Sequence, residues 1–190
     1  MSRAGLLAIA DFGTQLRRDR ARRRRIARRA AALGVLIAAV GCSAIAPPTP
    51  RLVWNASASM PRGLYAVRPV ARPARGATVI AWAPEPWRLL AARRHYLPAN
   101  VPLVKQVAAV PGDRICGLGN TVLINGHIAA ERARRDGQGR LMPWWNGCRT
   151  LRDGDYLLLI PGVAASFDGR YFGSTNASAI VGEARLLWTR

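Results

Sequence analysis

All but one of the chain's 29 basic side chains are arginine; the exception is Lys105. It lies in the apolar run Val101-Pro102-Leu103-Val104-Lys105-Gln106-Val107-Ala108-Ala109-Val110. A composition this rich in arginine uses it wherever a permanent positive charge is enough. A single lysine, in a strand too apolar for a solvated surface, therefore marks a position that arginine would not serve. The chemical difference is the proton, which a buried amine can lose and a guanidinium effectively cannot. Burial lowers an amine pKa from ~10.4 by several units and produces a general base. The plainer alternative is a lysine that snorkels from a strand edge.

A neutral amine needs a proton donor to activate. The stretch Asn55-Ala56-Ser57-Ala58-Ser59-Met60-Pro61-Arg62-Gly63-Leu64-Tyr65 offers two hydroxyls, Ser57 and Ser59. Serine–lysine dyads are a known variant of nucleophilic catalysis, with an amine in place of imidazole. Alone, the stretch reads as a linker punctuated by serine and proline. Beside the only lysine of the chain it becomes a candidate nucleophile segment. Metal chemistry lacks a ligand set: His95 and His127 are isolated, and no Cys-x-x-Cys or His-x-x-x-His spacing occurs. No metal and no cofactor is expected.

The elements that must position these groups are mostly strands. Leu64 to Val67 and Thr78 to Trp82 are short strand patterns bounded by proline and glycine, and Val101 to Val110 is a longer one. The last of these stops at Pro111-Gly112-Asp113, where Asp113 is read as a turn former. Thr121–Ile124, Asn125-Gly126 and His127–Ala129 predict a hairpin with a type I′ turn. Asp155 to Ile160 and Ala179 to Trp188 are further strands, and Pro86 to Arg94 is the one helix expected in the domain. From Glu131 to Gly147 the chain reads as a long polar loop. The fold class is mainly β, with many short strands in a folded sheet or barrel.

The formal net charge is +19 over 190 residues. Residues 1–29 hold ten arginines against Asp11 and Asp19, so this segment alone carries +8. An uncharged run from Ala30 to Ala46 follows, long enough at about 25 Å to cross a bilayer with interfacial flanks. Arginine before the run and Pro47-Pro48 after it predict three parts: a cytoplasmic segment over 1–29, a transmembrane anchor over 30–46 and an exported domain over 49–190. A cleaved signal peptide ending at Ala44-Ile45-Ala46 and a lipoprotein signal at Cys42 are the alternatives. An exported domain meets an oxidising compartment, which allows Cys116 and Cys148 to pair; two buried thiols are the other reading. With the charge concentrated beside the span, the bilayer is the expected partner and nucleic acid is not.

Three blocks together resemble the signal peptidase I family. They are Ser57-Ala58-Ser59-Met60-Pro61 just after an anchor, Leu103 to Asp113, and Ser166-Phe167-Asp168-Gly169-Arg170-Tyr171-Phe172-Gly173, in the family's order. Within it, Pro61-Arg62-Gly63-Leu64-Tyr65, Tyr96-Leu97-Pro98, Gly139 to Trp144 and the two exported cysteines resemble the TraF-type conjugative transfer peptidases.

The resemblance implies a signal-peptidase-like catalytic domain on one N-terminal helix. It implies Ser59 as nucleophile, Lys105 as general base, and an oxyanion hole from the Ser59 backbone N–H and the Ser57 hydroxyl. It also implies that Ser166 orients the amine and that Asp168 and Arg170 brace the site; in the TraF-type subgroup the aspartate takes part in a cyclisation step. The implied substrate is an exported precursor cut after small residues, a pilin-like subunit in the conjugative case. The implied location is the bacterial inner membrane with the catalytic domain in the periplasm. Two competitors stand beside it: a housekeeping signal peptidase, and a non-catalytic basic module held at the membrane, binding nucleic acid or anionic lipid through scattered arginines.

Overall fold

A computed structural model describes the backbone of residues 3–45 and 49–189 and the side chains of residues 20–43 and 49–189. The chain divides into two units, Met1–Thr49 and Pro50–Arg190.

The first unit is one helix, α1 (Arg3–Ile45). It runs through the arginine block and the uncharged run without a break, because alanine, leucine and arginine are strong helix formers and no proline interrupts them. Arg20–Ser43 is long and apolar enough to cross a membrane. The expected end of the span at Ala46 and the stop at Pro47-Pro48 lie outside the described residues, as do the side chains of Arg3, Asp11, Arg17, Arg18 and Asp19.

The second unit is mainly β. In chain order its elements are β1 (Leu52–Asn55), β2 (Gly63–Arg68), β3 (Thr78–Ala81), α2 (Trp87–Arg93), β4 (Leu103–Ala109), β5 (Arg114–Leu118), β6 (Thr121–Ile124), β7 (His127–Glu131), β8 (Gly147–Thr150), β9 (Asp155–Leu159), α3 (Gly169–Phe172), β10 (Thr175–Asn176) and β11 (Ile180–Thr189). A seven-stranded sheet has the order β1-β2-β11-β3-β4-β9-β10, and a four-stranded sheet has the order β7-β6-β5-β8. Neighbours in both are antiparallel. The long strand β11 serves both β2 and β3, with register shifts at Ile180/Gly182 and Leu186/Trp188.

The expected strands form, with ends moved by one or two residues. The domain's first strand, however, is β1, which lies before the serine segment and not after it. The short helix α3, where one helix was expected in the domain, and the two-residue β10 lie outside the expected pattern, and so do strands β5 and β8. Their alternation is poor in sequence: β5 carries Cys116 and Gly117 at its centre, and all four residues of β8 are exposed. The long loop is shorter than expected, since Glu131 ends β7 and Gly147 begins β8. The Asn-Gly hairpin forms with Asn125 at φ 51° and Gly126 at φ 84°, the positive values a type I′ turn requires.

Buried apolar clusters hold the strands that carry the chemistry. Ala109, Ile115, Val122, Ala130, Leu151, Leu157 and Leu159 join the two sheets. Val53, Tyr65, Val67, Ile80, Val104 and Ala184 form a second cluster, against which Met60 of the serine segment packs. Burying side chains of this size contributes about 1.5–3 kcal/mol each relative to leaving them exposed, so β4 and the serine segment are held to the same interior.

Candidate active site

Strand β4 sits near the middle of the large sheet, and its register places Lys105 opposite Val79 of β3. Alternation puts Leu103 on the same face as Lys105. There Leu103 packs with Phe172, and Phe167 lies against them. The block from Ser166 to Phe172 therefore covers the lysine face of β4, and Lys105 is left only 3% exposed.

Ser59 reaches this lysine from the turn between β1 and β2. Its Oγ is 3.0 Å from Lys105 Nζ, across 46 residues of sequence. Ser57 Oγ is 3.0 Å from Ser59 Oγ, on the exposed side. Ser166, buried at the start of the covering block, brings its Oγ to 2.7 Å from the same amine. The lysine expected to be buried and the serines expected to need it thus meet in one place.

Desolvation lowers the pKa of Lys105 to about 8. The Asp168 carboxylate raises it and the Arg170 guanidinium lowers it, two smaller effects of opposite sign. At neutral pH an appreciable fraction of the amine is then unprotonated, against about one part in 2,500 for a free lysine side chain. An amine lone pair beside a serine hydroxyl can take its proton, which is what a serine nucleophile requires.

Asp168 and Arg170 lie behind the amine and are almost completely enclosed. The Arg170 Nε donates to Asp168 Oδ1 at 2.8 Å and its Nη2 to Asp168 Oδ2 at 3.1 Å, a forked pair. Arg170 also donates to the carbonyls of Ile160 and Glu131, and Asp168 accepts from the Ile160 N–H. The pair therefore ties the covering block to the ends of β9 and β7. Gly169 between them has no room for a side chain: a Cβ would stand 2.8 Å from both the Leu158 carbonyl oxygen and Leu157 Cδ1.

Other residues that build the site had no distinguishing signal in the sequence. Arg132, 3% exposed, donates to the carbonyls of Gly119 and Trp145 and lies over the Trp144 ring at 4.1 Å. Trp145 Nε1 donates to the Gly169 and Arg170 carbonyls, so the 132–146 loop clamps the covering block. Among so many arginines, nothing singles out a buried one. Tyr65 is buried beneath the serine turn and its hydroxyl donates to the Pro61 carbonyl at 2.9 Å. Asn55, also buried, ends β1 under the same turn; its place just before the serines was the available hint.

Asp113 behaves as a turn residue, held by Arg75, Asn125 and the Val110 N–H away from the lysine. Cys116 and Cys148 face each other across β5 and β8 and are joined by a disulfide. Cys42 is an exposed free thiol on α1. Among the described residues no cluster of His, Cys, Asp and Glu could hold a metal ion.

Residues 23–189 match the family model described as "Signal peptidase, peptidase S26". The "Probable conjugal transfer protein TraF" of Sinorhizobium fredii (strain NBRC 101917 / NGR234) is 36% identical over 145 residues, covering 71% of this chain and 76% of that protein. A conjugal transfer protein TraF of Agrobacterium fabrum (strain C58 / ATCC 33970) is 30% identical over 151 residues, covering 71% and 81%. Among solved structures, a signal peptidase I from Enterococcus faecalis V583 aligns with 63% of this chain and 99% of its own, at 18% identity and a TM-score of 0.36. The family match takes in the serine turn, the lysine strand and the block that covers it, and the chain belongs to the signal peptidase S26 family of serine peptidases.

Proposed function

We propose that the protein is a membrane-anchored serine endopeptidase that processes exported precursors through a Ser59–Lys105 dyad. The observation that carries this reading is the 3.0 Å approach of Lys105 Nζ to Ser59 Oγ in a pocket that leaves the amine 3% exposed. A non-catalytic basic module has no use for such a lysine, whose burial costs free energy that surface arginines avoid.

The chemistry follows from the groups present. Ser59 Oγ–H gives its proton to the amine as Oγ attacks the scissile carbonyl carbon. The Ser59 N–H and the Ser57 hydroxyl stabilise the oxyanion of the tetrahedral intermediate. The lysine ammonium then returns the proton to the leaving amine, which leaves an acyl-enzyme on Ser59. Water, or an amine of the same substrate, resolves that ester and gives a linear or a cyclic product. Strand β9 pairs with β4 only from Gln106 onward, and among the described residues the outer edge of 103–105 has no strand beside it. An extended substrate segment fits that edge next to both catalytic side chains.

The arginine block, the span-length helix and the positive-inside rule support an anchor in the bacterial inner membrane, N-terminus in the cytoplasm and domain 49–190 in the periplasm. The names of the conjugal transfer relatives support a role in conjugal transfer, for which the family resemblance implies a pilin-like precursor as substrate. The test is mass spectrometry of candidate precursors incubated with the full-length protein and with Ser59→Ala. Cleavage after a small residue, absent in the variant, is expected; a cyclic product is lighter than the linear one by one water. Equal cleavage by both proteins would refute the dyad.

A further inference from the structure

The Ser57–Met60 turn has no secondary-structure ladder to hold its shape, and Asn55 supplies the hydrogen bonds in its place. The side chain is 5% exposed, and its Nδ2 donates to the carbonyl oxygens of Ser57, Met60 and Pro61, each at 3.1 Å. Its Oδ1 accepts from the Ser57 N–H, also at 3.1 Å. One amide therefore engages three carbonyls of the turn and one of its N–H groups.

This pattern decides what remains. With the carbonyls on either side of Ser59 gathered inward on Asn55, and the Ser57 N–H spent on Oδ1, the Ser59 N–H has no acceptor among the described residues. A backbone donor is useful to a developing oxyanion only if its direction is set before the reaction and it is not already occupied. We infer that Asn55 is a positioning residue: by holding the Ser57 and Met60 carbonyls, on either side of the Ala58–Ser59 peptide, its side-chain amide fixes the shape of the turn and with it the direction of the unoccupied Ser59 N–H, presenting it to the carbonyl oxygen of a bound substrate. Without Asn55, Met60 packing and the Tyr65 hydroxyl on the Pro61 carbonyl would still hold the turn near its place, but would not fix the Ser57 and Met60 peptide planes. The inference rests on the proposed role of Ser59 and adds a residue that does not itself touch substrate.

The test uses the full-length protein in detergent and a quenched peptide with alanine one and three residues before the scissile bond. Asn55→Ala should lower kcat by about 10²–10³-fold, the loss typical of removing one oxyanion donor. KM should stay within about threefold and the pH midpoint should not move, because Lys105 is untouched. A peptide aldehyde of the same sequence, whose hemiacetal oxygen occupies the oxyanion position, should bind more weakly by a factor similar to the kcat loss. The intact peptide should bind Ser59→Ala and the Asn55→Ala, Ser59→Ala double variant equally. Asn55→Asp keeps the volume and the acceptor for the Ser57 N–H but lacks the amide donors. It should lose as much as Asn55→Ala, and it answers the question if the alanine variant does not fold. Either folded variant retaining kcat within about threefold of wild type overturns the inference. So does an equal loss of aldehyde and intact-peptide binding, which would make Asn55 a general support of the fold. Cleavage by wild type that does not depend on Ser59 would instead sink the proposed function, a separable result.

Discussion

Ser166 Oγ lies 2.7 Å from Lys105 Nζ, closer than the 3.0 Å that separates the same amine from Ser59. In the proposed mechanism the two contacts take different parts. The amine lone pair faces the Ser59 hydroxyl when Lys105 acts as base, and one of its N–H bonds then donates to Ser166, which fixes the direction of the lone pair.

Ser166→Ala should therefore keep the pocket closed and lose the aim of the amine. A buried donor left without its acceptor costs about 1–3 kcal/mol, so cleavage should fall by roughly 5–150-fold at the plateau. The hydroxyl oxygen stabilises the ammonium more than the neutral amine, so its loss should also shift the acid limb to lower pH. A pH series of kcat/KM on the folded variant checks both. An unchanged plateau with an unchanged midpoint would show that Ser166 only fills space.

Lys105→Arg addresses the base itself. Wild-type cleavage should rise with pH through about 8 as burial-lowered Lys105 gives up its proton, and should fall about tenfold per unit well below that point. Arginine keeps the charge and most of the length but cannot accept the proton, so the variant should drop to near background at every pH. Ser59→Ala should do the same, and the double variant should be little worse than either single, because members of one catalytic unit fail together. A folded Lys105→Arg protein that retains more than a small fraction of cleavage would make the lysine a bystander.

Much of the candidate site was legible in the chain because its two proposed chemical members are marked by type and setting. A sole lysine in an apolar strand and two serines outside regular structure can be found without coordinates. Asp168 and Arg170 were legible only through resemblance to a family, since Asp-Gly-Arg reads as an ordinary surface turn. What remained hidden is cooperative. Strand β8 has no apolar alternation because it hydrogen-bonds to β5 on the edge of the small sheet with its side chains in solvent. Arg132 is buried by the tryptophans that close over it, a fact of the folded loop and not of the residue. Asn55 likewise acquires its role only when the turn folds back onto it. Local pattern finds groups whose environment is written next to them in the chain; β8 and Arg132 take theirs from elsewhere, and Asn55 takes its own from neighbours whose fold the sequence does not announce.

The Cys116–Cys148 disulfide closes a segment with a sequence separation of 32 and includes the 132–146 loop that clamps the Ser166–Phe172 block. Reducing it, or replacing both residues with serine, should lower unfolding stability by about 3–4 kcal/mol in the chain-entropy model. The urea midpoint with and without reductant measures this, and non-reducing peptide mapping of protein isolated from cells with its thiols blocked checks the pairing in the cell. Because the clamp's own hydrogen bonds survive reduction, cleavage at low temperature should fall much less than stability. Two free thiols in protein isolated from cells, or an identical midpoint under both conditions, would contradict this account.

Asp168→Asn separates the brace from the chemistry. The wild-type pair is fully enclosed, and its forked geometry satisfies the carboxylate and most of the guanidinium together. Removing the carboxylate strands the Arg170 charge in the interior, a change that typically costs about 3–5 kcal/mol, much more than the pair adds over an apolar replacement. The variant should therefore show a clearly lower denaturant midpoint than wild type. Its folded fraction should differ in one further way. Asp168 raises the pKa of Lys105 while burial and Arg170 lower it, so loss of the carboxylate removes a raising effect and leaves both lowering ones in place. The amine should then be unprotonated at lower pH, and the acid limb of the cleavage profile should move down from about 8 even as stability falls. Unfolding curves and a pH–rate series on the same preparation measure the two effects independently. A lower midpoint with an unmoved acid limb would mean that Asp168 holds the block in place without tuning the base, and an acid limb shifted upward would contradict the electrostatic account of Lys105.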